Sequence, residues 1–244
     1  MPFYLALRAM SKPVPMPLNF RTKVNKGELC TWQIEEPEDW FSERLQLEQA
    51  ELNELAHIKG KRRLEWLACR WLTHQILCDL KLSNEFHRVP VLKDEFGKPH
   101  LKDVPFDVSF SHSHGQVAVF LQPVACGVDI QYFVPKIKRI AHKFLSVREA
   151  ESLDAPLLLE HLHFYWSVKE AVYKAYGRKE LEFREHIIVE PFACKDSGTT
   201  LVWVIKDGER HSYQVEMCRR EDHFLAWCWE TTGDLPFQQL STED

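Results

Sequence analysis

Two short stretches carry residue types whose spacing could do chemistry. In WSVKEAVYKAYG (166–177), Glu170 and Lys174 are four positions apart. On a helix they share a face, with Trp166 one turn earlier. In ACGVDIQ (125–131), Asp129 sits between Val128 and Ile130, and Gln131 follows two positions on. On a strand Asp129 and Gln131 then point to one side while Val128 and Ile130 enter the core. A carboxylate on so apolar a strand needs a partner. A helix bearing Lys169, Glu170 and Lys174 supplies one, directly or through a metal. Asp129 and Glu170 are hard oxygen ligands suited to Mg²⁺, which takes few carboxylates and completes its shell with phosphates and water.

Other stretches supply groups for an anion. SFSHSHG (109–115) lies between two strand-like runs and reads as a turn whose hydroxyls, amides and imidazoles could meet phosphate oxygens. His112 and His114 alternate with the spacing of a zinc-ligand pair, but no third ligand lies at a useful local spacing. In KGKRRLEWLACR (59–70), Lys59, Lys61, Arg62 and Arg63 crowd the start of a helix, and Arg70 follows two turns later. Cations are disfavoured at a helix N-terminus unless an anion is expected there. Lys98 sits on a Gly-Pro turn, EFGKPH, just upstream of the histidines. Together these residues describe a site for a polyanion and a divalent metal. The chain has neither GxxxxGK[ST] nor GxGxxG, which disfavours the common nucleotide folds.

The elements that must position these groups repeat. The first half reads as a strand over 29–36, a polar helical stretch over 42–56 and a strong helix over 61–80. Leu64, Leu67, Ala68, Trp71, Leu72 and Ile76 give that helix its apolar period. Strands follow over 88–92, 106–110 and 116–122. After Pro123 the order recurs: a strand over 124–131, short helices over 136–143 and 147–153, and a long helix over 161–176. Four strands follow, near 186–190, 200–205, 212–217 and 223–229. This predicts an α+β protein of two similar lobes in a pseudo-twofold arrangement, with the active site in the cleft between them. The domain reading is 1–123, then 124–230, then a polar tail over 231–244.

Bulk properties narrow the function. At 244 residues, 45% hydrophobic and 27% charged, the chain can bury a proper core. A net charge of −5 argues against a nucleic-acid binder. The seven cysteines form no CxxC pair and sit among apolar residues, as expected of buried thiols in a reducing cytoplasm. The N-terminal FYLAL run is too short for a signal peptide, and no stretch is long enough to span a membrane.

The chain resembles the 4′-phosphopantetheinyl transferases of the two-lobed surfactin-synthetase-activating type. The resemblance rests on GVDIQ (127–131), WSVKEAVYKA (166–175), FSHSHG (110–115) and GKP (97–99), with looser likeness in HKFLSVREAESL (142–153) and KRRLEWLACR (61–70). It implies an enzyme of the holo-acyl-carrier-protein synthase kind, which transfers the phosphopantetheine arm of coenzyme A to a serine of an apo acyl or peptidyl carrier protein. Adenosine 3′,5′-bisphosphate is released. Asp129 and Glu170 carry over as Mg²⁺ ligands, and Glu170 as acceptor of the serine proton. Lys174 would neutralise the pyrophosphate, with Lys169 a second phosphate contact. Ser111 and His112 would touch coenzyme A phosphates, and Lys98, Arg62 and Arg63 its 3′-phosphate end. The family often has Glu where this chain has Gln131, which would ligate the metal directly or hold a metal-bound water. Lys136, Lys138, Arg139, Lys143 and Arg148 form a basic strip suited to an acidic carrier. A monomer is expected, because the cleft is internal.

Overall fold

The second half of the chain repeats the topology of the first, less one edge strand. The computed structural model describes residues 18–84 and 86–231. The FYLAL run and the tail beyond Thr231 lie outside the described residues.

The first lobe runs β1 (Leu18–Val24), β2 (Gly27–Gln33), α1 (Glu38–Ser42), α2 (Gln49–Ala56), α3 (Lys61–Asp79), β3 (Val91–Lys93), β4 (Pro99–Leu101), β5 (Asp107–Ser113) and β6 (Gln116–Gln122). The second lobe runs β7 (Cys126–Tyr132), a 3₁₀ turn (Pro135–Arg139), α4 (Ala141–Phe144), α5 (Val147–Glu151), α6 (Leu158–Tyr176), α7 (Phe183–His186), β8 (Ile187–Val189), β9 (Ser197–Lys206), β10 (Glu209–Arg220) and β11 (His223–Glu230). The first sheet is ordered β1-β2-β6-β5-β4-β3 and the second β7-β11-β10-β9-β8. With β1 set aside, the orders coincide. The strand before the helices of each lobe, β2 or β7, pairs with that lobe's last strand, and each lobe carries one helix of 19 residues.

Three cores form. One lies under α3, one under α6, and a third between the sheets, where Leu29, Ala118 and Phe120 meet Val128, Ile130, Leu225 and Trp227. The alternation expected of β7 holds: Val128 and Ile130 fill the inter-sheet core, which leaves Gly127, Asp129 and Gln131 on the α6 side. Gly127 is what lets α6 lie on that strand, since a Cβ there would stand 1.8 Å from the Ala171 carbonyl oxygen.

A buried carboxylate sets the rotation of each long helix. In the second lobe, Glu149 in α5 accepts the Ser146 N–H (2.8 Å) and the Val189 N–H of β8 (2.9 Å), and pairs with Lys169 of α6 (2.8 Å). In the first, Glu51 in α2 accepts the Glu48 N–H (3.1 Å) and the Val91 N–H of β3 (3.2 Å), and pairs with Arg70 of α3 (3.4 Å). Arg88 also pairs with Glu51. With Lys169 drawn inward, the next residue, about 100° round the helix, is turned toward β7. That residue is Glu170.

Some boundaries differ from the sequence reading. The helix expected over 42–56 is shorter: α1 ends at Ser42, and α2 begins only at Gln49, after an extended Glu48 that starts it with its own capping box. The edge strand β1 and the short inner strand β4 are additions, β1 showing the period-two exposure of a half-buried strand. SFSHSHG is mostly strand: β5 continues through Ser113, and the turn is His114–Gly115 alone, both at positive φ.

Candidate functional site

β5 of the first lobe runs beside the free edge of β7, joined to it by side chains. Asp107 Oδ2 accepts the Cys126 N–H (2.8 Å), Ser109 Oγ that of Val128 (3.0 Å), Ser111 Oγ that of Ile130 (3.1 Å) and Ser113 Oγ that of Tyr132 (3.0 Å). Each rung joins residues 19 apart. The four side chains satisfy the strand N–H groups that a neighbouring backbone would otherwise take. The signal was in the sequence as the period-two pattern D-x-S-x-S-x-S.

The third rung touches the charged groups. Ser111 Oγ donates to Asp129 Oδ1 (3.0 Å) and accepts from Lys174 Nζ (3.0 Å). Lys174 also donates to Asp129 Oδ1 (2.8 Å) and to the Val128 carbonyl (3.0 Å). Asp129 is only 5% exposed, and its other oxygen, Oδ2, is buried with no hydrogen-bond partner. Burial and the nearby Asp129 charge push the Glu170 carboxyl up to about 7, against the pull of Lys174. Glu170 has no hydrogen bond or ion pair among the described residues. Gln131 follows Asp129 on the same side of β7, its amide donating to the Tyr132 carbonyl (3.2 Å).

Two carboxylates short of partners, one buried oxygen orphaned, and an amide beside them form a donor set that fits Mg²⁺. Among the described residues no cluster of three or more His, Cys, Asp or Glu side chains forms a denser metal site. The zinc alternative for His112 and His114 is not assembled. His112 meets Glu65 (3.0 Å), whereas His114 stacks on Tyr132.

Beside this group lies a cavity of about 610 Å³ between the lobes. The first lobe lines it from α3, the β3–β4 hairpin and β5, and the second from the C-terminal end of α6. Lys174 is in its wall, as are Arg62, Lys98 and His112. Lys98 pairs with Asp107 of its own lobe (2.7 Å) and reaches across to the Ala175 carbonyl at the end of α6 (2.9 Å). Its stem packs where Gly177 lacks a side chain: a Cβ there would stand 2.4 Å from Lys98 Cδ, and Gly177 is left-handed at φ 70°. Of its three donors, one remains for the cavity.

Three expected contacts fall elsewhere. Arg63 is turned to its own lobe, bonded to Glu38 (2.5 Å) and the Leu55 carbonyl (2.7 Å), so Arg62 is the arginine of the pair that faces the cavity. Lys169 is fully buried, spending its donors on Glu149 and the carbonyls of Phe183 (2.8 Å) and Ile187 (2.7 Å). Its expected place among the phosphate contacts is therefore corrected: the motif's first lysine holds the helix. Ser111 is 6% exposed, and its one proton and two lone pairs are all used, which leaves nothing for a phosphate. Residues not anticipated also line the cavity. Glu65 orients His112, while Lys93, Tyr173, Arg178 and Lys179 add cations and an aromatic wall. The Arg178–Lys179 pair directly after Gly177 was the available sequence signal.

Residues 125–228 match the family model of the 4′-phosphopantetheinyl transferase superfamily. The match covers most of the second lobe and spans β7, α6 and both carboxylates. No curated protein matches the chain. Among the described residues no helix is long and apolar enough to cross a membrane.

Proposed function

We propose that this protein transfers the 4′-phosphopantetheine arm of coenzyme A to a serine of an apo acyl or peptidyl carrier protein, releasing adenosine 3′,5′-bisphosphate, with Mg²⁺ as cofactor. The observation that carries this reading is the under-partnered pair of a buried Asp129 and a partly buried Glu170, beside a cation-lined inter-lobe cavity.

Asp129 and Glu170 would hold the metal, with Gln131 ligating it or a water bound to it. When bound, Mg²⁺ supplies positive charge against the pyrophosphate as its bridge breaks. Arg62, His112 and the spare donor of Lys98 bind and orient coenzyme A phosphates in the cavity. Lys174, whose three donors are committed within the site, shifts one of them to a pyrophosphate oxygen and stabilises the developing charge. Glu170 takes the proton of the carrier serine, directly or through a water.

For the carrier, Lys136, Lys138, Arg139 and Lys143 offer exposed cations without ion-pair partners among the described residues. Arg148 is engaged with Glu190 (3.0 Å) and contributes less to an acidic partner. Because both walls of the cavity come from one chain, a monomer suffices. Seven cysteines with no disulfide suit a reducing cytoplasm.

Chromatography of the nucleotide product tests the reaction. Adenosine 3′,5′-bisphosphate should appear in step with modified carrier and only when carrier is present. Its release without carrier, or release of inorganic phosphate, contradicts the reading.

A further inference from the structure

We infer that Ser111, a residue of the first lobe, is a positioning residue for the metal site of the second, fixing which oxygen of Asp129 is offered to the cation. The inference rests on the transferase reading above. Four side chains of β5 accept N–H groups of β7, and a purely structural role would need no more of any of them. Ser109 and Ser113 each accept one strand N–H, from Val128 and from Tyr132. Ser111 differs. Both its lone pairs are taken, by the Ile130 N–H and by Lys174 Nζ, so its proton has one place to go, Asp129 Oδ1. That oxygen then accepts two hydrogen bonds, from Ser111 and Lys174. Oδ2 is left buried and bare.

The serine hydroxyl, anchored by the Ile130 N–H one residue away, therefore orients the carboxylate directly and accepts from the same lysine that the carboxylate binds. Groups that hold a metal ligand from behind in this way tune affinity as well as geometry. A serine outside the second lobe thereby acts on the ion that the second lobe holds, which ties metal uptake to the docking of the two lobes.

The test is a Mn²⁺ titration, read by electron paramagnetic resonance in the presence of coenzyme A, on the wild-type protein and on Ser111→Ala, Ser113→Ala and Ser111→Thr. Each alanine strips one strand N–H of its acceptor, so both should lower the melting temperature. Only Ser111→Ala should weaken Mn²⁺, by about 10–100-fold. Ser113→Ala should bind as wild type does, and Ser111→Thr, which keeps the hydroxyl, should recover most of the affinity. Equal Mn²⁺ affinity in the two alanine variants overturns the inference while leaving the transferase reading intact. A wild-type protein that takes up no Mn²⁺ with coenzyme A overturns both.

Discussion

The two lobes share one topology and differ at the positions under their long helices. In the first lobe, Cys30 and Trp32 of β2 point to α3 and complete a dry core. In the second, the corresponding places on β7 hold Asp129 and Gln131. The helices differ likewise. Arg70 and Lys169 each form an ion pair with a buried capping-box glutamate. The residue after Arg70 is Trp71, packed edge-on against Trp40 at 5.4 Å, whereas the residue after Lys169 is Glu170. Two core positions have thus become carboxylates on an otherwise repeated frame. The second lobe bears the local cost: an orphaned Asp129 oxygen and a Glu170 carboxyl forced up to about 7. Such costs are expected where a site binds something, and a divalent cation would relieve both.

Breaking this contrast most sharply means removing one residue of each pair. Glu170→Ala should cut carrier modification by about 10²–10⁴-fold with the melting temperature preserved. Trp71→Ala should do the reverse, costing about 2–4 kcal/mol of stability while each folded molecule still turns over. Carrier assays paired with thermal melts check both. Next is the bracket the lobes share. Lys169→Ala strands Glu149 in the core and should cost about 3–5 kcal/mol in urea unfolding. If Lys169 acted on phosphate instead, stability would hold and the coenzyme A KM would rise. Adding Glu149→Gln to Lys169→Met should recover part of the loss, since no buried charge then remains.

The Glu170 carboxyl sharpens the contrast through pH. Below about pH 4.5 it is protonated in both folded and unfolded chains and contributes nothing. Between there and about 7 the unfolded chain has released a proton that the metal-free folded chain retains, so stability falls as pH rises. Glu170→Gln should therefore stabilise the EDTA-treated protein at pH 8, by up to about 3 kcal/mol, and leave it unchanged near pH 4. Denaturant melts at the two pH values test this. The smallest effect concerns Gln131→Glu, which adds a charged ligand and should raise Mg²⁺ affinity by up to about tenfold, measured by calorimetry.

Much of this frame was legible in the chain because periodicity is local. The 3.6-residue period marked α3 and α6, and alternation placed Asp129 opposite Val128 and Ile130. The recurring element order foretold two lobes. What stayed hidden depends on which residues meet across the fold. Nothing near Lys169 in sequence points to Glu149, twenty positions earlier, so a buried structural lysine read as a phosphate contact. SFSHSHG shows hydroxyls and imidazoles, yet whether its serines face a ligand or a neighbouring strand edge is decided by the docking of β5 on β7. Arg62 and Arg63 are adjacent and alike, and only Glu38 and the Leu55 carbonyl distinguish them. The strands β1 and β4 escaped because the first is half-exposed and the second is only three residues long, so neither carries much apolar signal.

Intact-mass spectrometry of an apo carrier protein incubated with this protein, coenzyme A and Mg²⁺ tests the central claim most directly. The account predicts a gain of one phosphopantetheine mass on the carrier, stopped by EDTA and absent with Glu170→Ala. A carrier mass unchanged by the wild-type protein across acyl and peptidyl carriers, or a full gain with Glu170→Ala, would contradict it.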